Sequence, residues 1–127
     1  MTERPTASIV AVVDDDRSVL RSLQYLLESA DYGIRLFSSG MELLDSGCVP
    51  EIDCLISDVD MPGMEGYELM RVVHTVRPEL PVILITGYPD TLRGLGSPSD
   101  GPRCFTKPFN GPELLAAVSE AIRRPRG

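Results

Sequence analysis

Four short apolar runs in this chain each end on, or one residue short of, a polar residue with useful chemistry. Ile9-Val10-Ala11-Val12-Val13 leads to Asp14-Asp15, and Cys54-Leu55-Ile56-Ser57 leads to Asp58. Val82-Ile83-Leu84-Ile85 leads to Thr86, and Cys104-Phe105-Thr106 leads to Lys107. Continuous apolar runs of this length read as strands buried on both faces, as in a parallel sheet. Neighbouring parallel strands set their carboxyl ends side by side. Three carboxylates, one hydroxyl and one ammonium would then meet outside those ends, where open α/β sheets bind ligands.

The segments between the runs supply helices. From Asp16 to Ala30, apolar residues fall at Val19, Leu20, Leu23, Leu26, Leu27 and Ala30, which is helical spacing with one face for the core. Gly33 suits a left-handed cap at the end of that helix, and Ile34 to Phe37 reads as a second strand. Ser39 can cap a short helix through Leu44 that stops near Gly47. A third helix is predicted from Gly66 to Arg77, packing through Leu69, Met70, Val73 and Val76 and closed by Pro78. His74, the single histidine, lies off that stripe and reads as a solvated surface residue. Asn110 caps a last helix, with Glu113 at the capping-box position and Leu114, Leu115, Val118 and Ile122 inward.

The segment between Thr86 and Arg103 breaks the pattern. It holds Gly87, Pro89, Gly94, Gly96, Pro98, Gly101 and Pro102. Glycine costs about 1 kcal/mol and proline about 3 kcal/mol inside a helix. A fourth helix here should be short or disordered, one or two turns near residues 90–95 at most. The whole is a regular alternation of strands and helices, and so an α/β parallel sheet covered on both faces.

At 127 residues the chain is expected to be one domain, with residues 1–7 a frayed lead-in and residues 123–127 a basic tail or the start of a linker. A net charge of −7 argues against direct nucleic-acid binding and favours cations or basic partners. Cys48, Cys54 and Cys104 have no metal-ligand or paired spacing and read as reduced thiols of a cytoplasmic protein. No apolar stretch approaches the ~20 residues that span a bilayer, and no signal-peptide segment opens the chain.

Carboxylates crowded at two adjacent strand ends repel one another unless a divalent cation sits among them. Mg²⁺ prefers oxygen ligands and shares its shell with phosphate, which fits Asp14, Asp15 and Asp58. A carboxylate can also attack phosphorus. Phosphoryl transfer then needs its equatorial oxygens neutralised, for which Thr86 and Lys107 are placed. Taken alone, each residue has a plainer reading: Asp14-Asp15-Asp16 as a turn and helix cap, Thr86-Gly87 as turn chemistry, Lys107-Pro108 as a loop lysine.

From Ile9 to Arg124 the chain resembles the receiver domain of bacterial two-component response regulators. The resemblance is carried by Val-Val-Asp-Asp-Asp at 12–16, Asp-Val-Asp-Met-Pro-Gly-Met-Glu-Gly at 58–66, Ile-Thr-Gly at 85–87 and Lys-Pro-Phe at 107–109. It implies a doubly wound, flavodoxin-like (βα)5 fold with a five-stranded parallel sheet in the order 2-1-3-4-5. It implies Asp58 as phosphoacceptor, and Asp14 and Asp15 as the acidic pair that holds Mg²⁺, or Mn²⁺ in its place. Asp58 itself and the backbone carbonyl of Asp60 would complete the protein ligands. Thr86 matches a hydroxyl that moves to hold the phosphoryl group, Lys107 a lysine that pairs with it, and Pro108 a proline whose preceding bond is often cis.

The implied partners are a histidine kinase or phosphotransfer protein, an unidentified downstream output, and a second copy of the chain upon phosphorylation. No membrane partner and no turnover of an external substrate are expected. Two departures from the family stand out. The position three before the lysine, usually an aromatic switch residue, is Cys104, with Phe105 beside it directed to the other face. The other departure is the glycine- and proline-rich segment 87–102. The Asp60 side chain adds negative charge at the pocket entrance and should slow capture of anionic phosphodonors. Two competing readings are a Mg²⁺-dependent phosphatase with Asp58 and Asp60 as a DxD pair, and a receiver-like interaction module that no longer uses phosphate.

Overall fold

The structure, a computed structural model, describes residues 8–87 and 103–123. The expected lead-in, the weak fourth helix and residues 124–127 lie outside the described residues. The elements are β1 (Ile9–Val13), α1 (Arg17–Glu28), β2 (Gly33–Phe37), α2 (Gly40–Ser46), a 3₁₀ turn (Val49–Glu51) and β3 (Cys54–Asp58). They continue with α3 (Gly66–Val76), β4 (Val82–Thr86), β5 (Arg103–Thr106) and α4 (Gly111–Arg123).

The five strands form one sheet in the order β2-β1-β3-β4-β5, with every pairing parallel. Alternation along the strands divides the core. Ala11, Val13, Leu55 and Leu84 face one layer with Leu43 of α2 and Leu69 and Val73 of α3. Val10, Val12, Ile56, Ile83 and Ile85 face the other with Leu23 and Leu27 of α1 and Leu114 and Val118 of α4. β3 and β4 are buried along their whole length, as continuous apolar runs in a covered parallel sheet require. β5 begins one residue earlier than expected, at Arg103.

The helix starts follow the sequence signals. Asp16 accepts the Ser18 N–H at 2.9 Å, Ser39 accepts that of Glu42 at 3.1 Å, and Asn110 accepts that of Glu113 at 2.9 Å. Gly47 closes α2 in the left-handed region, at φ 74°.

Three local expectations are corrected. Asp31, not Gly33, takes the left-handed turn after α1, at φ 68°. The helix ends at Glu28, so the reversal falls before Gly33, and aspartate tolerates that conformation. Gly33 instead opens β2, donating its N–H to the Ser8 carbonyl at 2.8 Å. Val76 is 60% exposed, because α3 ends there and Leu80, in the following turn, enters the core instead. His74 is half-buried, with Nε2 2.9 Å from the Leu80 carbonyl, so it ties that turn to α3 instead of being solvated.

Candidate phosphoryl and metal site

Sheet register assembles the site. Val13 pairs with Ser57, so Asp14 and Asp58 follow as neighbours. Asp58 pairs with Ile85, and Thr86 is the next residue. Thr86 pairs with Thr106, and Lys107 is the next residue. Backbone bonds hold the loops that leave these ends. Asp14 N–H donates to the Phe37 carbonyl, Val59 N–H to that of Ile85 and Lys107 N–H to that of Thr86, at 3.1, 2.8 and 2.8 Å. The Lys107–Pro108 bond is cis.

Asp14 and Asp58 are almost fully buried, and Thr86 is fully buried; Asp15 is exposed. One carboxylate oxygen from each of Asp14, Asp15 and Asp58 lies within 4.8 Å of the others. Lys107 Nζ is 3.1 Å from Asp14 Oδ2 and 3.2 Å from Asp58 Oδ1. Asp14 Oδ1 also accepts the Asp16 N–H at 2.9 Å.

Burial pushes the Asp58 carboxyl up to about 6, with the Asp14 charge adding to the rise and Lys107 opposing it. Burial likewise raises Asp14, against the Asp16 N–H and Lys107. Burial disfavours the Lys107 charge, but the two carboxylates outweigh it and raise its pKa.

This donor set fits a hard divalent cation. Two of the three clustered carboxylates share one ammonium, and the buried Asp58 Oδ1 is reached by that ion pair without a well-formed hydrogen bond among the described residues. Oxygen donors of this kind, part buried and part open to water, suit Mg²⁺.

The structure therefore brings together Asp14, Asp15, Asp58 and Lys107. Thr86 stands at the adjacent strand end, but its hydroxyl is engaged elsewhere: Oγ1 donates to Asp60 Oδ2. The sequence reading assigned Asp60 a backbone ligand and a diffuse charge and missed this contact; only the loop path after β3 brings the two together. It also missed how closely Gly66 packs. A Cβ there would lie 2.5 Å from the Asp58 carbonyl oxygen and 2.9 Å from Val59 Cα. Cys104 and Phe105 face opposite layers as strand alternation requires. Cys104 packs against the same core layer as Tyr67 of α3.

Residues 10–119 match the response regulator receiver domain family. This chain belongs to that family. The cell cycle response regulator CtrA of Brucella ovis is 30% identical over 121 residues, covering 93% of this chain and 51% of that protein. The chain thus spans about half the length of the curated relatives it matches.

Solved receiver structures superpose closely. A Clostridium thermocellum receiver domain has a TM-score of 0.80 at 26% identity, covering 92% of this chain and 95% of that one. The BeF3-activated DrrB receiver domain has a TM-score of 0.80 at 30% identity, covering 93% and 99%. As a receiver domain, the chain is a phosphoacceptor signalling domain of the two-component type. Among the described residues, no helix is long and apolar enough to cross a membrane.

Proposed function

We propose that Asp58 accepts the phosphoryl group, and that Asp14, Asp15, Asp58 and the Asp60 backbone carbonyl hold the Mg²⁺ that supports the transfer. The observation that carries this reading is the burial of Asp58 between a second carboxylate and the Lys107 ammonium, with a third carboxylate within ligand distance. The cation, when bound, supplies positive charge to the carboxylates and to the phosphoryl oxygens.

The Asp58 carboxylate attacks the phosphorus of a phosphohistidine on a kinase or phosphotransfer protein. The new O–P bond forms as the P–N bond breaks, and the electron pair leaves with the imidazole nitrogen, which takes up a proton. Lys107 remains paired with the phosphorylated side chain, and Thr86 donates its hydroxyl to a phosphoryl oxygen. The added charge then biases two conformations that differ in affinity for an output. A phosphorylation-dependent homodimer is one form such an output could take, and a segment or protein outside this domain is another.

The phosphatase reading needs Asp60 as a general acid. It is not favoured, because the Asp60 carboxylate already accepts the Thr86 hydroxyl.

The test is labelling by acetyl phosphate with and without Mg²⁺, comparing the wild type with Asp58→Ala. Mg²⁺-dependent labelling lost in the variant is expected. Equal labelling of both would remove Asp58 from its role.

A further inference from the structure

Thr86 Oγ1 lies fully buried at the end of β4, and the group that accepts its proton is the Asp60 carboxylate, on the loop leaving β3. A threonine hydroxyl has one proton to donate. The phosphoacceptor reading, on which the present inference rests, needs that same proton for an oxygen of the group on Asp58. The two acceptors are therefore mutually exclusive. Asp60 is also a strong holder: a charged acceptor binds a hydroxyl more tightly than a neutral amide does.

We propose that the Asp60 side chain is a positioning residue that holds the Thr86 hydroxyl in the unphosphorylated domain and must be displaced before Thr86 can engage the phosphoryl group. Its effect is to hold down the population of the switched state. A phosphoryl group on Asp58 must offer more than the bond it breaks, so the cost falls on the phosphorylated state alone. Tyr67 and Cys104 pack against the same layer of the core.

Asp60 has a second effect that must be separated from the first, because its negative charge repels any incoming anion. A double-mutant cycle does so. Beryllium fluoride with Mg²⁺ serves as the phosphoryl probe, titrated into the wild type, Asp60→Asn, Thr86→Ala and the double variant. Asp60→Asn should tighten probe binding about three- to tenfold when Thr86 is present and by less than about twofold when it is alanine.

Equal tightening in both backgrounds would mean that Asp60 acts by charge alone and would overturn the proposal, as would no tightening in either. A folded wild type that fails to bind the probe would instead overturn the phosphoacceptor reading beneath it. A second measurement needs no probe. Scalar couplings in the free protein should report one Thr86 χ1 rotamer in the wild type and a rotamer mixture in Asp60→Asn and Asp60→Ala. An unchanged single rotamer in both variants would show that Asp60 does not hold the side chain.

Discussion

Asp14 and Asp58 stand at adjacent strand ends and share one cation, the Lys107 ammonium, at 3.1 and 3.2 Å. Two nearly buried carboxylates against one positive charge leave the pocket short of compensation. The folded chain therefore bears an electrostatic cost that a bound cation would relieve.

That cost should be visible in stability. Asp58 titrates near 6 in the folded chain and near 3.8 when unfolded. Between those values the native state binds more protons, so stability falls as the pH rises from about 4 to about 6 and stays lower above. Asp58→Asn removes the charge while keeping the shape. Urea unfolding in a chelator at neutral pH should show this variant about 1–3 kcal/mol more stable than the wild type. A less stable variant would contradict the picture of an undercompensated cluster.

Cation binding should follow the same carboxyl groups. Mg²⁺ must displace the protons of Asp58 and Asp14, both of which are raised by burial. Apparent affinity is expected to hold above about pH 7 and to fall roughly tenfold per pH unit below about 6. Calorimetric titrations across that range test it, and a flat profile would count against these ligands. Asp15→Asn should weaken binding at every pH, since Asp15 is the exposed member of the cluster.

Gly66 should resist substitution for a steric reason. An added methyl meets backbone atoms of Asp58 and Val59 at 2.5 and 2.9 Å, and backbone cannot swing aside as a flexible side chain can. Gly66→Ala should cost about 2–4 kcal/mol and reduce labelling of Asp58 by shifting its strand end. Gly33→Ala is the control, with its nearest neighbour at 3.4 Å, and should be tolerated. Denaturation midpoints of the two variants decide the matter.

Arg77 offers a structural effect separate from function. Its Nη1 donates to the carbonyls of Val49 and Ile52 at 2.9 and 2.6 Å, and its Nε to Glu79 at 3.1 Å. This clamp joins the end of α3 to the chain entering β3, at the opposite end of the strands from the site. Arg77→Ala should destabilise the fold by about 1–3 kcal/mol while leaving Mg²⁺ affinity within about twofold. A large loss of affinity would show that the two ends of β3 are coupled.

Much of this architecture was legible in the chain. Asp16, Ser39 and Asn110 cap their helices because the first-turn N–H groups need acceptors and short polar side chains supply them locally. The buried strands declared themselves as apolar runs. What misled was local geometry under tertiary influence. Val76 continues the apolar stripe of α3, yet the helix stops and Leu80 takes its place in the core. His74 looked solvated because its partner, the Leu80 carbonyl, comes from a turn that propensity does not place.

By itself, the sequence determined the alternation of elements, the parallel sheet and the set of polar residues at its strand ends, because periodicity, capping and burial are short-range properties of the chain. Tertiary structure alone decided which of those residues meet. Register set Asp14 beside Asp58 and brought Lys107 between them. The loop after β3 gave the Thr86 hydroxyl to Asp60. Both outcomes depend on contacts between segments far apart in sequence, and no local pattern encodes the distance between two such atoms.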